Sequence, residues 1–200
     1  MARAHGAPAM ALSPSPSLWV ALALLLALPG GGHPRGVPVG HISVENGGPW
    51  GEWGEPEFCP KGSYATGFQL KVEDPQGSGD DTGLNAIRLL CDGAGTVTSS
   101  QGVWGRWSRA QFCPTGQLTA FRLRTEEQQG RGDDTAANAL DFRCSQGHLL
   151  QGAGSPWGSW GAWSPACAPG GICGLQTRVE YPQGRGDDTA LNDVRFFCCQ

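Results

Sequence analysis

Residues 104–144 read WGRWSRAQFCPTGQLTAFRLRTEEQQGRGDDTAANALDFRC. This stretch contains a Trp-Gly-x-Trp pair, a cysteine, a segment of alternating apolar residues, a Gly-Asp-Asp-Thr-x-x-Asn motif and a closing cysteine. The same features occur in the same order before and after it, and the first cysteines, Cys59, Cys113 and Cys167, are spaced 54 residues apart. Because repetition at a fixed period indicates one structural unit used several times, we predict three units, at about residues 42–95, 96–149 and 150–200.

The segment after the first cysteine of each unit has the period of a β-strand. In the first unit Phe68 and Leu70 alternate with Gln69 and Lys71, and a strict period of two is typical of a strand with one buried face. The residues before each closing cysteine alternate in the same way, and 32 Gly and 15 Pro in 200 residues argue against a helical bundle. We therefore predict an all-β protein with about four strands per unit. Three such sheets must bury their apolar faces against each other, which predicts a β-prism with pseudo-threefold symmetry.

Paired tryptophans open each unit, at Trp50–Trp53, Trp104–Trp107 and Trp160–Trp163. Because the pair recurs in all three units, we predict that it packs around the threefold axis. The alternative is that an exposed member stacks on a sugar ring, as the amphipathic indole does well. Trp157 lies outside this pairing and occurs only in the third unit. It is therefore our candidate for a surface role.

The first 35 residues have the composition of a signal peptide followed by a short N-terminal segment. No Asp, Glu, Lys or Arg lies between Arg3 and Arg35, and residues 18–28 form an unbroken apolar run. These eleven residues are too few for a membrane span, which needs about 20, and are typical of a secretory signal. We expect cleavage between Gly30 and Gly40, a secreted extracellular protein without membrane insertion, and a single domain at residues 36–200.

Eight cysteines in a secreted chain predict disulfides rather than a metal site. Separations of 32, 31 and 31 residues suggest one bridge of the same kind in each unit: Cys59–Cys91, Cys113–Cys144 and Cys167–Cys198. Cys173 and Cys199 then remain for a fourth bridge in the last unit. Because Cys198 and Cys199 are adjacent, the swapped pairing, Cys167–Cys199 with Cys173–Cys198, stays open.

The Gly-Asp-Asp-Thr-x-x-Asn motif places two adjacent carboxylates in each of three loops. Short polar side chains of this kind commonly bind their own backbone and hold a loop in place. The functional alternatives are calcium binding, which needs about six to eight oxygen ligands, recognition of sugar hydroxyls, and hydrolysis by paired acids. Together with Trp157, the candidate glycan-binding residues are Asp80, Asp81, Asp133, Asp134, Asp187 and Asp188. We expect no catalytic set, no metal and no cofactor.

The combined motifs resemble the vitelline membrane outer layer protein 1 family. The resemblance rests on the three Trp-Gly-x-Trp units with their Gly-Asp-Asp-Thr-x-x-Asn motifs, on Cys-Gly-Leu-Gln-Thr at residues 173–177 and on the terminal Cys198 and Cys199, and it covers about residues 42–200. It implies a secreted, disulfide-stabilised β-prism of three four-stranded Greek-key antiparallel sheets, akin to jacalin-like lectins. It also implies a place in the outer layer of the vitelline membrane and a transferase-like action on N-acetylglucosamine oligosaccharides.

Two functions are consistent with these features. We expect a secreted, non-enzymatic structural protein of a vitelline-membrane-like coat or a secreted fluid, a monomer with glycans or other coat proteins as its candidate partners. The alternative is a carbohydrate-active enzyme that acts on N-acetylglucosamine oligosaccharides through carboxylates such as Asp80, Asp133 or Asp187. A formal net charge of −4 argues against nucleic acid as a partner.

Overall fold

The alternating segments form long β-strands in the computed structural model, which describes residues 1–2, 36–74, 82–126, 137–183 and 189–200. Within these residues, six strands of eight or nine residues pair as three antiparallel hairpins, and eight shorter strands flank them. The strands are β1 (Pro38–Ile42), β2 (Glu52–Trp53), β3 (Glu57–Phe58), β4 (Ala65–Val72), β5 (Leu84–Cys91), β6 (Thr96–Val97), β7 (Arg106–Trp107), β8 (Gln111–Phe112), β9 (Leu118–Thr125), β10 (Ala137–Cys144), β11 (Leu149–Gln151), β12 (Ser159–Trp160), β13 (Gly171–Val179) and β14 (Leu191–Cys199). In the described part of the chain, no helix has the length and apolar character that crossing a membrane requires.

The strands form three sheets. The first sheet has the order β6-β5-β4-β7 with β8 also on β4, the second has the order β11-β10-β9-β12, and the third has the order β1-β14-β13-β2 with β3 also on β13. In the first two sheets, three consecutive strands lie side by side and the fourth returns beside the first, which is the Greek-key arrangement. The predicted all-β prism of three four-stranded antiparallel sheets is confirmed, with a further two-residue strand on two of them.

Each sheet takes its tryptophan-bearing strand from the next unit of the sequence. β7 pairs with β4 and β12 pairs with β9, although β7 and β12 belong to the units that follow. The third sheet is completed from the start of the chain, because β2 pairs with β13 and β1 pairs with β14. The tryptophan strand therefore does not lie in the sheet of its own unit. The exchange joins each sheet to the next by backbone hydrogen bonds and closes the ring of sheets at the two ends of the domain.

One core fills the space between the inner faces of the three sheets. Phe142 of β10 packs against Phe68 of β4 at 4.7 Å between ring centroids and against Phe196 of β14 at 5.1 Å. Phe196 also contacts Phe121 of β9 at 4.7 Å, and all four rings are fully buried. Tilted and edge-on pairs of this kind are the favoured aromatic geometry. The alternation of the long strands therefore delivers one connected aromatic cluster to which every sheet contributes.

Three of the four disulfides link neighbouring sheets. Cys59 donates its backbone N–H to Cys173 of the third sheet and is bonded to Cys91 of the first. The equivalent bonds, Cys113–Cys144 and Cys167–Cys198, connect the first sheet to the second and the second to the third. Cys173–Cys199 joins β13 to β14 within the third sheet. The structure thus has the pairing that the repeat predicts, and the swapped alternative does not occur in it.

Candidate functional site: the tryptophan turns

The Trp-Gly-x-Trp segments form the same turn at the edge of each sheet. We call residues 50–53, 104–107 and 157–160 the tryptophan turns. Their glycines, Gly51, Gly105 and Gly158, have φ of +76°, +85° and +76°, a region that side chains with a Cβ rarely adopt. A Cβ at these positions would also collide with the backbone carbonyl groups of Val179, Val72 and Thr125 on the adjoining long strands. The glycine is therefore required for the turn to lie against the sheet.

The third turn uses a different tryptophan pair from the one that the sequence suggested. Trp53 pairs with Arg178 and Trp107 pairs with Lys71, and the residue in the equivalent register opposite Arg124 is Trp160. The third turn is therefore Trp157–Trp160, and the prediction of Trp160–Trp163 was wrong.

Trp157 is thus the counterpart of Trp50 and Trp104, and Trp163 is the additional residue. The third unit contains two overlapping Trp-Gly-x-Trp matches, in WGSWGAW. Distance to the following cysteine could have separated them. Trp53 and Trp107 lie six residues before theirs, Trp160 lies seven before Cys167, and Trp163 only four.

The tryptophans lie on the outside of the prism. Trp50, Trp104 and Trp157 expose 47%, 52% and 51% of their surface, and none of the tryptophans that the structure describes belongs to the core. The prediction that the pairs pack around the threefold axis was therefore wrong. The cause is positional, because the long strands already fill the inner faces with phenylalanine and leucine while the turns lie at the sheet edges.

The second indole of each turn lies under an arginine guanidinium. The Cζ atom is 4.0 Å from the ring centroid for Arg195 over Trp53, 3.9 Å for Arg88 over Trp107 and 4.4 Å for Arg122 over Trp160. Cation–π contacts at such sites contribute about 0.5–1 kcal/mol each. They hold the second indole flat against the outer face of the sheet and leave the first indole of the turn uncovered.

In the second sheet, the arginine that lies over the second indole of the turn comes from a different strand. In the first and third sheets it lies on the second long strand, and Arg88 Nη1 donates to Gln69 Oε1 of β4 at 3.2 Å. In the second sheet Arg122 lies on β9, and β10 carries Asp141 in its place, paired with Arg122 at 2.7 Å. Asp141 faces outward yet is only 2% exposed, since Arg122 covers it. Both arrangements place one guanidinium over the turn.

A second basic residue binds carbonyl groups of each turn or of the two residues just before it. Lys71 Nζ donates to Gly102 O at 2.9 Å and to Val103 O at 3.2 Å. Arg178 Nε donates to Gly51 O at 2.9 Å. Arg124 Nε donates to Gly158 O at 3.1 Å, and its Nη2 donates to Pro156 O. Hydrogen bonds from charged donors are stronger than neutral ones, so the exposed indoles stand on well-anchored backbone.

In the first and third units, the Thr and Asn of the Gly-Asp-Asp-Thr-x-x-Asn motif serve a structural role. Thr82 Oγ1 donates to Glu73 Oε2 at 2.6 Å and accepts from Asn85 Nδ2 at 2.6 Å, and Glu180, Thr189 and Asn192 form the same chain. The six candidate aspartates, Asp80, Asp81, Asp133, Asp134, Asp187 and Asp188, lie outside the described residues.

The motif asparagines also lie beside the tryptophan turns. Asn85 O accepts from Gly102 N at 2.7 Å and Asn85 Oδ1 accepts from Trp104 N at 3.2 Å. The backbone carbonyl of Asn192 likewise accepts from Gly48 N, two residues before Trp50. The described end of each polar motif therefore meets the turn that carries the exposed indole.

Titratable groups distinguish the first tryptophan turn, residues 50–53, from the other two. Arg178 pairs in register with Asp193, whereas Lys71 and Arg124 face Ala86 and Ala139. Burial raises the pKa of the Asp193 carboxyl above 3.8, against the smaller opposing effects of a hydrogen bond from Val194 N and the charges of Arg195 and Arg178. Among the residues described by the structure, no three His, Cys, Asp or Glu side chains are grouped to hold a metal ion.

Three Greek-key sheets around one core, with half-exposed indoles at their edges, define a β-prism of the kind found in jacalin-like lectins. Single-chain recombinant jacalin superposes with a TM-score of 0.54 at 10% identity over 82% of this chain and 97% of its own. A mannose-specific jacalin-related lectin from Morus nigra superposes with a TM-score of 0.51 at 16% identity over 80% and 96% of the two chains. At these identities the likeness establishes the fold.

The family is established by sequence. Residues 40–200 match the family model described as vitelline membrane outer layer protein I (VOMI). The vitelline membrane outer layer protein 1 homolog of Homo sapiens is 54% identical over 167 residues, which are 80% of this chain and 82% of the relative. The chain therefore belongs to the vitelline membrane outer layer protein I family.

Proposed function

We propose that the protein is a secreted, non-enzymatic structural component of an extracellular coat or fluid, and that its tryptophan turns bind glycans. The observation that carries this proposal is the repetition of one half-exposed indole on each sheet, at Trp50, Trp104 and Trp157. Tryptophan is among the residues that are enriched at the energetic centres of binding surfaces, so an exposed indole in the same position on each sheet is a candidate contact for a ligand.

The anchoring of the turns supports a binding role. An indole face is a good platform for the apolar face of a sugar ring, and a platform that is already rigid loses less conformational entropy when a ligand binds. The basic residues Lys71, Arg124 and Arg178 supply that rigidity through the turn carbonyl groups. We propose Asp80, Asp81, Asp133, Asp134, Asp187 and Asp188 as additional ligands for sugar hydroxyls, since the motif asparagine adjoins the turn.

The fold and family support an extracellular structural role. The name of the relatives places them in a vitelline membrane layer, and the disulfides across the sheet junctions suit an oxidising compartment. The Morus nigra neighbour is a lectin in complex with mannose, which shows that this fold accommodates a sugar site.

Glycan binding is tested on the oxidised protein with a glycan array and isothermal titration. We expect selective binding that weakens stepwise in Trp50→Ala, Trp104→Ala and Trp157→Ala, because three sites on one chain act together on a multivalent glycan. Phe112→Ala is the matched control, since Phe112 is an equally exposed aromatic residue outside the turns. Equal binding by the wild type and the triple tryptophan variant would remove the turns from the proposal.

Two further measurements test the rest of the proposal. Expression in animal cells with the native first 35 residues should release the chain into the medium with a new N-terminus between residues 30 and 40. Retention of the uncleaved chain inside the cells would contradict secretion. Turnover of N-acetylglucosamine oligosaccharides that is lost in Asp133→Asn and Asp187→Asn would replace the non-enzymatic proposal with the enzymatic one.

A further inference from the structure

The tryptophan turns contain a second pattern, in which the two indoles are spaced as Trp-x-x-Trp. This spacing is the acceptor sequence of C-mannosylation in the secretory pathway, where the first tryptophan receives a hexose on its ring. The pattern occurs at Trp50 and at Trp104, and the third unit continues it as Trp157-x-x-Trp160-x-x-Trp163. A short motif alone is a weak signal, so the exposure of these tryptophans in the folded protein is needed as a second observation.

The fold places every potential acceptor where a hexose has room. Trp50, Trp104 and Trp157 are about half exposed and Trp160 is 36% exposed. Trp53, Trp107 and Trp163 are more covered, and each lies beneath an arginine guanidinium. Trp160 also lies beneath an arginine, Arg122, so the two groups differ in exposed fraction and not in this contact. Trp53, Trp107 and Trp163 are also the tryptophans with no tryptophan three positions further on, where the residues are Pro56, Ala110 and Ala166. Motif and exposure therefore select the same four residues.

The uncovered indoles gain from such a substituent. An exposed indole leaves apolar surface in water, which is unfavourable in proportion to its area. A hexose on the ring edge would cover part of that surface and present hydroxyl groups instead. In addition, the turn carbonyl groups are already bound by Lys71, Arg124 and Arg178, so the turn does not depend on a substituent for its conformation.

We propose that Trp50, Trp104, Trp157 and Trp160 carry a C-linked hexose. The inference rests on the secretion part of the proposed function, because the hexose donor lies in the lumen of the secretory pathway. It is independent of glycan binding.

The reaction is a substitution on the indole ring. Carbon Cδ1 attacks the anomeric carbon of a hexose carried by a polyprenyl phosphate, and a carbon–carbon bond forms. The bond between the anomeric carbon and the phosphate oxygen breaks, and polyprenyl phosphate leaves with the electron pair. Loss of the Cδ1 proton to a base of the transferase restores the aromatic ring, so no oxidant or reductant is needed. The substituent lies in the ring plane and leaves both ring faces open to stacking.

The test is peptide mass spectrometry of the full chain, secreted from animal cells behind a heterologous signal peptide. We expect one hexose on each of the four acceptors and none on Trp53, Trp107 or Trp163, with fragment ions that retain part of the sugar on the indole. The same chain from cells that lack the C-mannosyltransferases should carry none. Unmodified acceptors in the first host, or hexose on Trp53, Trp107 or Trp163, would overturn the proposal.

Two variants test whether modification requires the tryptophan three positions after the acceptor. Trp163→Phe should remove only the hexose of Trp160, and Trp107→Phe should remove only that of Trp104, although neither changes an acceptor. Persistence of the hexose in both variants would overturn the proposal. A variant that is retained in the cell is analysed from the lysate, so it remains informative.

The heterologous signal peptide also keeps the two proposals distinguishable. Failure of the native leader to secrete the chain would count against the proposed function alone. A secreted chain without hexose would count against this inference alone.

Discussion

Replacing Arg122 by Gln and Asp141 by Arg should give the second sheet the arrangement of the other two sheets, in which the arginine lies on the second long strand. Arg122→Gln removes the cation that pairs with Asp141 and covers it, and it leaves the N–H of Gly152 as the donor to that carboxylate. The lost hydrogen bonds between charged groups should cost about 2 kcal/mol. Asp141→Arg places a second cation beside Arg122 and removes the same pair, at a similar cost. The double variant recreates the Gln–Arg pair seen between Gln69 and Arg88.

The double variant should lose only about 1 kcal/mol, because the one contact without a replacement is the hydrogen bond from Gly152 N to Asp141 Oδ1. The two changes are therefore strongly non-additive. The assay is urea unfolding of the oxidised proteins followed by tryptophan fluorescence, with the exposed Arg109→Gln as a control that should stay within about 0.5 kcal/mol of the wild type. A double variant as unstable as the two single changes combined would refute the idea that the sheets share one interchangeable Arg–Trp device.

Three further predictions concern the core, a buried carboxyl and the last disulfide. Phe142→Ala should lower the free energy of unfolding by about 3–5 kcal/mol, since its ring joins the sheets through Phe68 and Phe196. The control, Phe112→Ala at an exposed position, should change the free energy of unfolding by less than about 1 kcal/mol. Similar losses for the two variants in denaturant titrations would contradict a single shared core. Because the pKa of Asp193 is raised in the folded protein, the native state binds the proton more tightly than the unfolded state does, and the carboxyl lowers stability as the pH rises above 3.8. Asp193→Asn should therefore be more stable than the wild type at neutral pH, with an advantage that vanishes towards acid, and unfolding curves across this range that show no such trend would count against it. Replacing Cys173 and Cys199 together by Ala opens a loop of 26 residues and should lower the free energy of unfolding by about 3–4 kcal/mol, measured by thermal and urea unfolding. Non-reducing peptide maps should still show the other three bridges. A loss below about 1 kcal/mol would mean that the pairing of β13 with β14 already supplies the constraint.

Local periodicity was sufficient to predict the long strands and their buried faces. Phe68, Leu70, Phe121 and Leu123 are buried as their alternation predicts, because a strand that lies between a core and solvent must place every second residue inside. Equal spacing of the cysteines was sufficient to predict Cys59–Cys91 and Cys113–Cys144, since equivalent cysteines in equivalent units occupy equivalent positions. It favoured Cys167–Cys198 but left the swapped pairing with Cys199 open, and the structure shows Cys167–Cys198.

The position of the tryptophans in the fold could not be predicted from the local sequence pattern. Their strands, such as β7 and β12, are two residues long, which is too short for a period to indicate a buried face. Recurrence alone suggested a core position for them. The inner faces, however, were already filled by the phenylalanines, leucines and isoleucines of the six long strands, and that competition for space is visible only in the assembled fold.

The sequence by itself determined the repeat, the strand character, the family and two of the four disulfides, because each of these follows from spacings along the chain. The structure decided between the two pairings that the sequence left open for the last four cysteines. The tertiary structure alone decided that the tryptophan strand of each unit joins the sheet of another and that the third turn is Trp157–Trp160. It also decided that the first indoles face solvent and the second lie under arginines. These features depend on partners far apart in sequence, such as Arg178 and Gly51 at a separation of 127 residues, and on which face of each sheet the shared core covers.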